Sequence, residues 1–119
     1  MALYTNLPVY KIGYDILLDI HKCTNTFARE HKYTLGEKLK EESIQLLISV
    51  FKANKTKGSK RLAYIDNARE HLELLRLLFR IAKDLNIITT KTYVNLNLKK
   101  QEVSKQLTGW QEYTARAIT

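Results

Sequence analysis

Ile65-Asp66-Asn67-Ala68-Arg69-Glu70-His71-Leu72-Glu73-Leu74-Leu75-Arg76-Leu77-Leu78-Phe79-Arg80-Ile81-Ala82 decides how this chain folds. Ile65, Ala68, Leu72, Leu75, Phe79 and Ala82 recur at alternating steps of three and four, which gathers them on one stripe of an α-helix and would scatter them over both faces of a strand. The helix predicted from this stripe spans about 59–85. Working outward, the same periods return. Val9, Ile12, Ile16, Ile20, Cys23 and Phe27 mark a helix over about 8–27, where Pro8 suits an opening turn because its missing N–H has no helical partner there. Leu39, Ser43, Leu46, Val50 and Ala53, widened by Leu35, Leu47 and Phe51, mark one over about 34–53. Thr34 and Glu37 have the spacing of a capping box, each side chain reaching a backbone N–H of the other. Tyr93, Leu96, Val103, Leu107, Trp110 and Ala117 mark a fourth over about 90–117, with Lys100 as its weak point.

One proline and four glycines leave little punctuation for strands and turns, so the chain reads as all-α. Short connections between long helices imply an antiparallel, up-down-up-down four-helix bundle forming a single domain over 1–119. In that topology the 28–33 and 86–89 loops share one end, and the 54–59 loop shares the other with both termini.

The 119 residues carry 20 Lys and Arg against 12 Asp and Glu, a formal charge of +8 that favours polyanionic partners. The single cysteine, Cys23, excludes an internal disulfide, and its place on an inward stripe makes it a small hydrophobe. The opening residues, Met1 to Pro8, lack the basic start and apolar run of a signal peptide, and no apolar stretch approaches the roughly 18 residues of a membrane span. The expectation is a cytoplasmic protein without a membrane partner.

The densest basic segment is 52–61, where Lys52, Lys55, Lys57, Lys60 and Arg61 occur without an acid. The expected topology adds Lys11 and Arg116 to that end. A phosphate backbone needs dense positive charge and no particular spacing, so these seven residues are the candidate nucleic-acid surface, for RNA and for DNA alike. Helix three is apolar around more of its circumference than one core requires; Leu74, Leu77, Leu78 and Ile81 form a candidate subunit interface, flanked by Arg76 and Arg80. Arg69 and Glu73 lie four apart, the spacing of an intrahelical ion pair. His21, His31 and His71 are never three or four residues apart, and neither a Glu-x-x-His, a nucleophile elbow nor a phosphate loop occurs. The reading is therefore non-enzymatic, with no metal and no cofactor. Tyr10, Tyr14, Tyr33, Tyr64, Tyr93, Trp110 and Tyr113 have the spacing of core-edge packing, with base stacking as the functional alternative.

Leu7-Pro8-Val9-Tyr10-Lys11, Tyr33-Thr34-Leu35-Gly36-Glu37-Lys38-Leu39-Lys40-Glu41-Glu42, Leu75-Arg76-Leu77-Leu78 with Ile81-Ala82-Lys83-Asp84-Leu85, and Lys105-Gln106-Leu107-Thr108-Gly109-Trp110 resemble the four-helix-bundle family of bacterial accessory variability determinant (Avd) proteins. The resemblance implies a ring-like homopentamer with a positive surface. It also implies a non-catalytic role beside the reverse transcriptase of a diversity-generating retroelement, bound together with its template RNA. The same superfamily includes proteins encoded by intervening sequences of ribosomal RNA genes, which give an alternative role on structured RNA. That branch follows helix two with a stretch ending in Ala-Glu-Gly, where this chain has Phe51-Lys52-Ala53-Asn54. Thr108 stands where a second glycine is expected before Gly109-Trp110. A protein-only scaffold docking an acidic partner is the third reading.

Overall fold

In the computed structural model, which describes residues 3–118, Pro8 sits in the opening turn of α1 (Pro8–Thr24), preceded by a single 3-10 turn at Tyr4–Asn6. Met1, Ala2 and Thr119, the ends of the expected 1–119 domain, lie outside the described residues. A one-turn helix α2 (Arg29–Lys32) follows, then α3 (Leu35–Asn54), α4 (Gly58–Asp84) and α5 (Thr90–Ile118). Among the described residues the chain is all-helical and has no strand.

The first helix ends at Thr24, three residues before the expected Phe27, yet Phe27 is buried. A turn closed by Phe27 N–H to the Thr24 carbonyl (3.1 Å) folds the ring back under the helix. Gly36 lets the end of α2 come close: a Cβ there would stand 3.3 Å from the His31 carbonyl oxygen, while the Phe27 ring, at 3.5 Å, would be at ordinary contact distance. The capping box at Thr34 does not form. Because α2 ends immediately before it, the Thr34 hydroxyl donates backward to the Glu30 carbonyl at 2.9 Å, and Glu37 instead faces Lys40. Gly58 begins α4 at φ +62°, a left-handed conformation that a residue with a side chain adopts at a cost. Asn86, at φ 59°, ends it: Asn86 N–H reaches the Lys83 carbonyl (3.0 Å) and Ile87 N–H the Ala82 carbonyl (2.8 Å), closing two of the helix's last carbonyls. The Thr89 hydroxyl then accepts from Thr92 N–H at 3.1 Å and caps α5.

The helices pack as a bundle in which α1 and α4 each lie against both α3 and α5. Its core is the set of stripes that the periodicity predicts: Val9, Ile16 and Ile20 from α1, Leu39, Leu46 and Val50 from α3, the six α4 residues from Ile65 to Ala82, and Leu96, Val103 and Leu107 from α5. Ile12, Cys23, Leu35, Tyr93 and Trp110 pack against it partly buried. Ala117 is a correction, since it is exposed. The opening of α1, Leu7 to Val9, lies against Lys105–Trp110, so the last turns of α5 run beyond what α1 covers. Polar ties between helices keep one order: in α4 and α5, Asp66 meets Gln111, Arg69 meets Thr108 and Lys83 meets Tyr93, later residues of one helix facing earlier residues of the other. Across α3 and α4, His71 meets Glu42 and Arg61 meets Asn54. No helix among the described residues is long and apolar enough to cross a membrane.

Candidate nucleic-acid interface

The basic segment 52–61 joins the end of α3 to the start of α4, so its lysines project from one end of the bundle. Lys52, Lys55, Lys57 and Lys60 are exposed, but Arg61 is half-buried. Its Nε donates to the Ala53 carbonyl at 2.9 Å and its Nη2 to the Asn54 carbonyl at 3.3 Å, while the guanidinium lies 5.5 Å from the Trp110 ring centroid. Arg61 therefore adds donors to the last carbonyls of α3, beside the Thr56 N–H that already reaches Ala53, and fastens the loop to α5. The local reason for the charge is visible at α4: no acid lies in its first turn, and Lys57 at its N-cap offers no side-chain acceptor to the free N–H groups. Those groups carry the positive end of the helix dipole and add to the four lysines.

The other two candidates lie on α5 and α1. Arg116 is exposed in the last turn of α5. From that end Tyr113, Thr114, Ala117 and Ile118 line a groove with Lys57, Gly58 and Arg61. Lys11 is exposed on α1 beside Tyr10, whose ring lines a recess with Tyr4 and Phe51 at the end of α3. Sequence reasoning misses Tyr4 and the exposure of Phe51, which the periodicity assigns to widening the core stripe. Phe51 is 39% exposed, with Lys55 Nζ 5.2 Å from its ring centroid. Burial, reinforced by Tyr4 and Tyr14, pushes the Tyr10 phenol above its ordinary pKa.

The candidate interface on α4 divides by exposure. Leu77 (55%) and Ile81 (37%) face outward, while Leu74 and Leu78 are half-buried; Leu85, which sequence reasoning leaves out, is 60% exposed just past the end of the helix. Arg76 pairs with Glu73 and Arg80 with Asp84, each at 3.0 Å along the helix. Such exposed pairs contribute little to stability. The expected Arg69–Glu73 pair is absent because Arg69 turns to α5 and donates to the Thr108 hydroxyl at 2.7 Å.

No group of three or more His, Cys, Asp and Glu among the described residues is placed to hold a metal ion. Burial, with Asp19 nearby, pushes the Cys23 thiol to about 11, and its S–H points at the Ile20 carbonyl. It is a protonated, weakly reactive packing residue at neutral pH.

A family model described as bAvd-like matches residues 9–114, from the first turn of α1 to Thr114 in α5. No curated protein matches the chain.

Proposed function

The chain belongs to the bAvd-like family and is an Avd-like accessory protein; from that premise we propose that it is a non-enzymatic, cytoplasmic nucleic-acid-binding subunit that partners a retroelement reverse transcriptase and its template RNA. The observation that carries the nucleic-acid part is the acid-free 52–61 segment, where four exposed lysines flank the uncapped start of α4. Diffuse charge of that kind engages phosphates and reads no base edge, so binding is electrostatic and tolerant of sequence. The order of the ties between helices supports an antiparallel, up-down-up-down arrangement, which brings the 54–59 loop and the end of α5 together.

Changing Lys55, Lys57 and Lys60 to glutamine together is expected to weaken RNA binding and to flatten the plot of log affinity against log salt, by up to about one unit for each phosphate no longer neutralised. Helicity should be unchanged, because all three side chains lie outside the core. Titrations at several salt concentrations check this; wild-type affinity and slope in the triple variant would remove the loop from the interface. An adjacent reverse transcriptase gene with repeat templates supports the partner, whereas insertion within a ribosomal RNA gene supports the intervening-sequence role.

The surplus apolar face of α4 is the surface we assign to self-assembly into a ring, pentameric by family resemblance. Leu77→Glu is expected to give smaller particles in light scattering. On a lone subunit the new carboxylate stays in water, but in an assembled interface it is desolvated without a partner. A wild-type monomer at micromolar concentration would overturn the assignment.

A further inference from the structure

The rings at the basic end form one connected set. Tyr4 meets Tyr10 edge-on, with centroids 5.1 Å apart, and meets Phe51 edge-on at 4.9 Å; Tyr10 in turn lies nearly parallel to Tyr14, at 6.1 Å and 16°. The core accounts for Tyr10, which packs against it half-buried, and leaves the outer rings over. Phe51 lies outside the buried stripe of Leu46, Val50 and Ala53, and Tyr14 is 43% exposed on the outer side of α1. Contiguous exposed apolar surface on a small protein marks a surface that another molecule covers.

The chemistry of the patch selects the occupant. Its members are aromatic rings, Tyr14 and Phe51 exposed and Tyr4 and Tyr10 half-buried, and a cation lies against them: Lys55 Nζ stands 5.2 Å from the Phe51 centroid. Lys55 also belongs to the 52–61 loop, so the patch and the basic end of the bundle are continuous. A ligand that is planar and aromatic on one side and anionic along the other satisfies both halves. Unpaired nucleotides have that form, and stacking accepts every base because each has a π-face. A duplex keeps its bases stacked on one another and offers the protein mainly phosphate and sugar.

We propose that Tyr4, Tyr10, Tyr14 and Phe51 form a stacking platform for unpaired bases of single-stranded RNA, whose phosphates run over Lys55 onto the 52–61 loop. This rests on the nucleic-acid reading above and adds to it the form of RNA that is held. Ile44 and Ile48 continue the exposed strip along α3 away from the loop, the part of this side that a second copy of the chain would favour instead.

The test compares an unstructured RNA strand with an abasic strand of the same length, which keeps the phosphates and removes the bases. Wild-type protein is expected to hold the base-bearing strand about tenfold or more tightly than the abasic one. Tyr14→Leu with Phe51→Leu, which keeps apolar cover but removes the rings, should abolish that preference and leave abasic affinity unchanged. The triple lysine variant should weaken both strands and keep the preference. Equal wild-type affinity for the two strands overturns the platform while the electrostatic reading stands, and failure to bind either overturns both. If the double leucine variant keeps the preference but changes particle size in light scattering, the patch is an interface between copies and the platform is overturned.

Discussion

Phe79→Ala should destabilise the bundle by about 3–5 kcal/mol, the usual range for deleting a buried ring when the surroundings cannot collapse into the space. Phe79 is fully buried on α4, between the stripes of α3 and α5, and is among the largest of the side chains sealed from solvent. Its neighbours on that stripe, Leu72, Leu75 and Ala82, are held by helices on both sides, so the vacated volume remains a cavity. A domain of this size has about 5–15 kcal/mol of total stability, so the variant loses a large fraction of it. Chemical denaturation followed by circular dichroism, at one fixed protomer concentration because assembly shifts the midpoint, checks the value. A loss under about 1 kcal/mol would mean that the four helices do not close around this ring.

His71→Ala is expected to cost about 2–3 kcal/mol, more than an exposed histidine would, because it takes the nearest partner from a buried carboxylate. The Glu42 side chain is only 6% exposed in α3 and receives His71 Nδ1 from α4 at 2.6 Å, with Lys38 Nζ at 3.5 Å on its other oxygen. Removing the imidazole leaves the exposed Lys38 to balance a carboxylate shut away from water. Replacing both Glu42 and His71 by leucine removes the charge along with its partner, and such a variant should recover most of the loss. A double-mutant cycle by denaturation measures the coupling; additive effects of the two single changes would mean that the pair carries no coupling energy.

The residues that form the core are readable from spacing alone. Ile65, Ala68, Leu72, Leu75, Phe79 and Ala82 are all buried, as are Val9, Ile16, Ile20, Leu46 and Val50. Helical periodicity is a property of neighbours three and four apart, so the chain states it locally and packing confirms it. The misreadings lie where a local pattern has a competitor from elsewhere. Thr34 has the spacing of a cap, but α2 offers its hydroxyl a nearer carbonyl at Glu30. Arg69 has Glu73 at ion-pair spacing, but the Thr108 hydroxyl on α5 takes it. Ala117 fits a stripe, but at the end of α5 it only lines a groove with the start of α4 and stays exposed.

By itself, then, the sequence determined the four long helices, the faces they bury and a basic loop between the second and third of them, because each depends on residue type and short-range spacing; the one-turn α2 inside the expected 28–33 loop it did not show. Only the tertiary structure decided that Arg61 serves the end of α3 and Trp110 as much as the charged surface, that Glu42 is buried against a histidine 29 residues away, and that Tyr4 and Phe51 join Tyr10 and Tyr14 in one exposed patch. Those outcomes are contacts between distant parts of the chain, and their partners are chosen by which helix ends and faces the packed core brings within a few ångströms of each other.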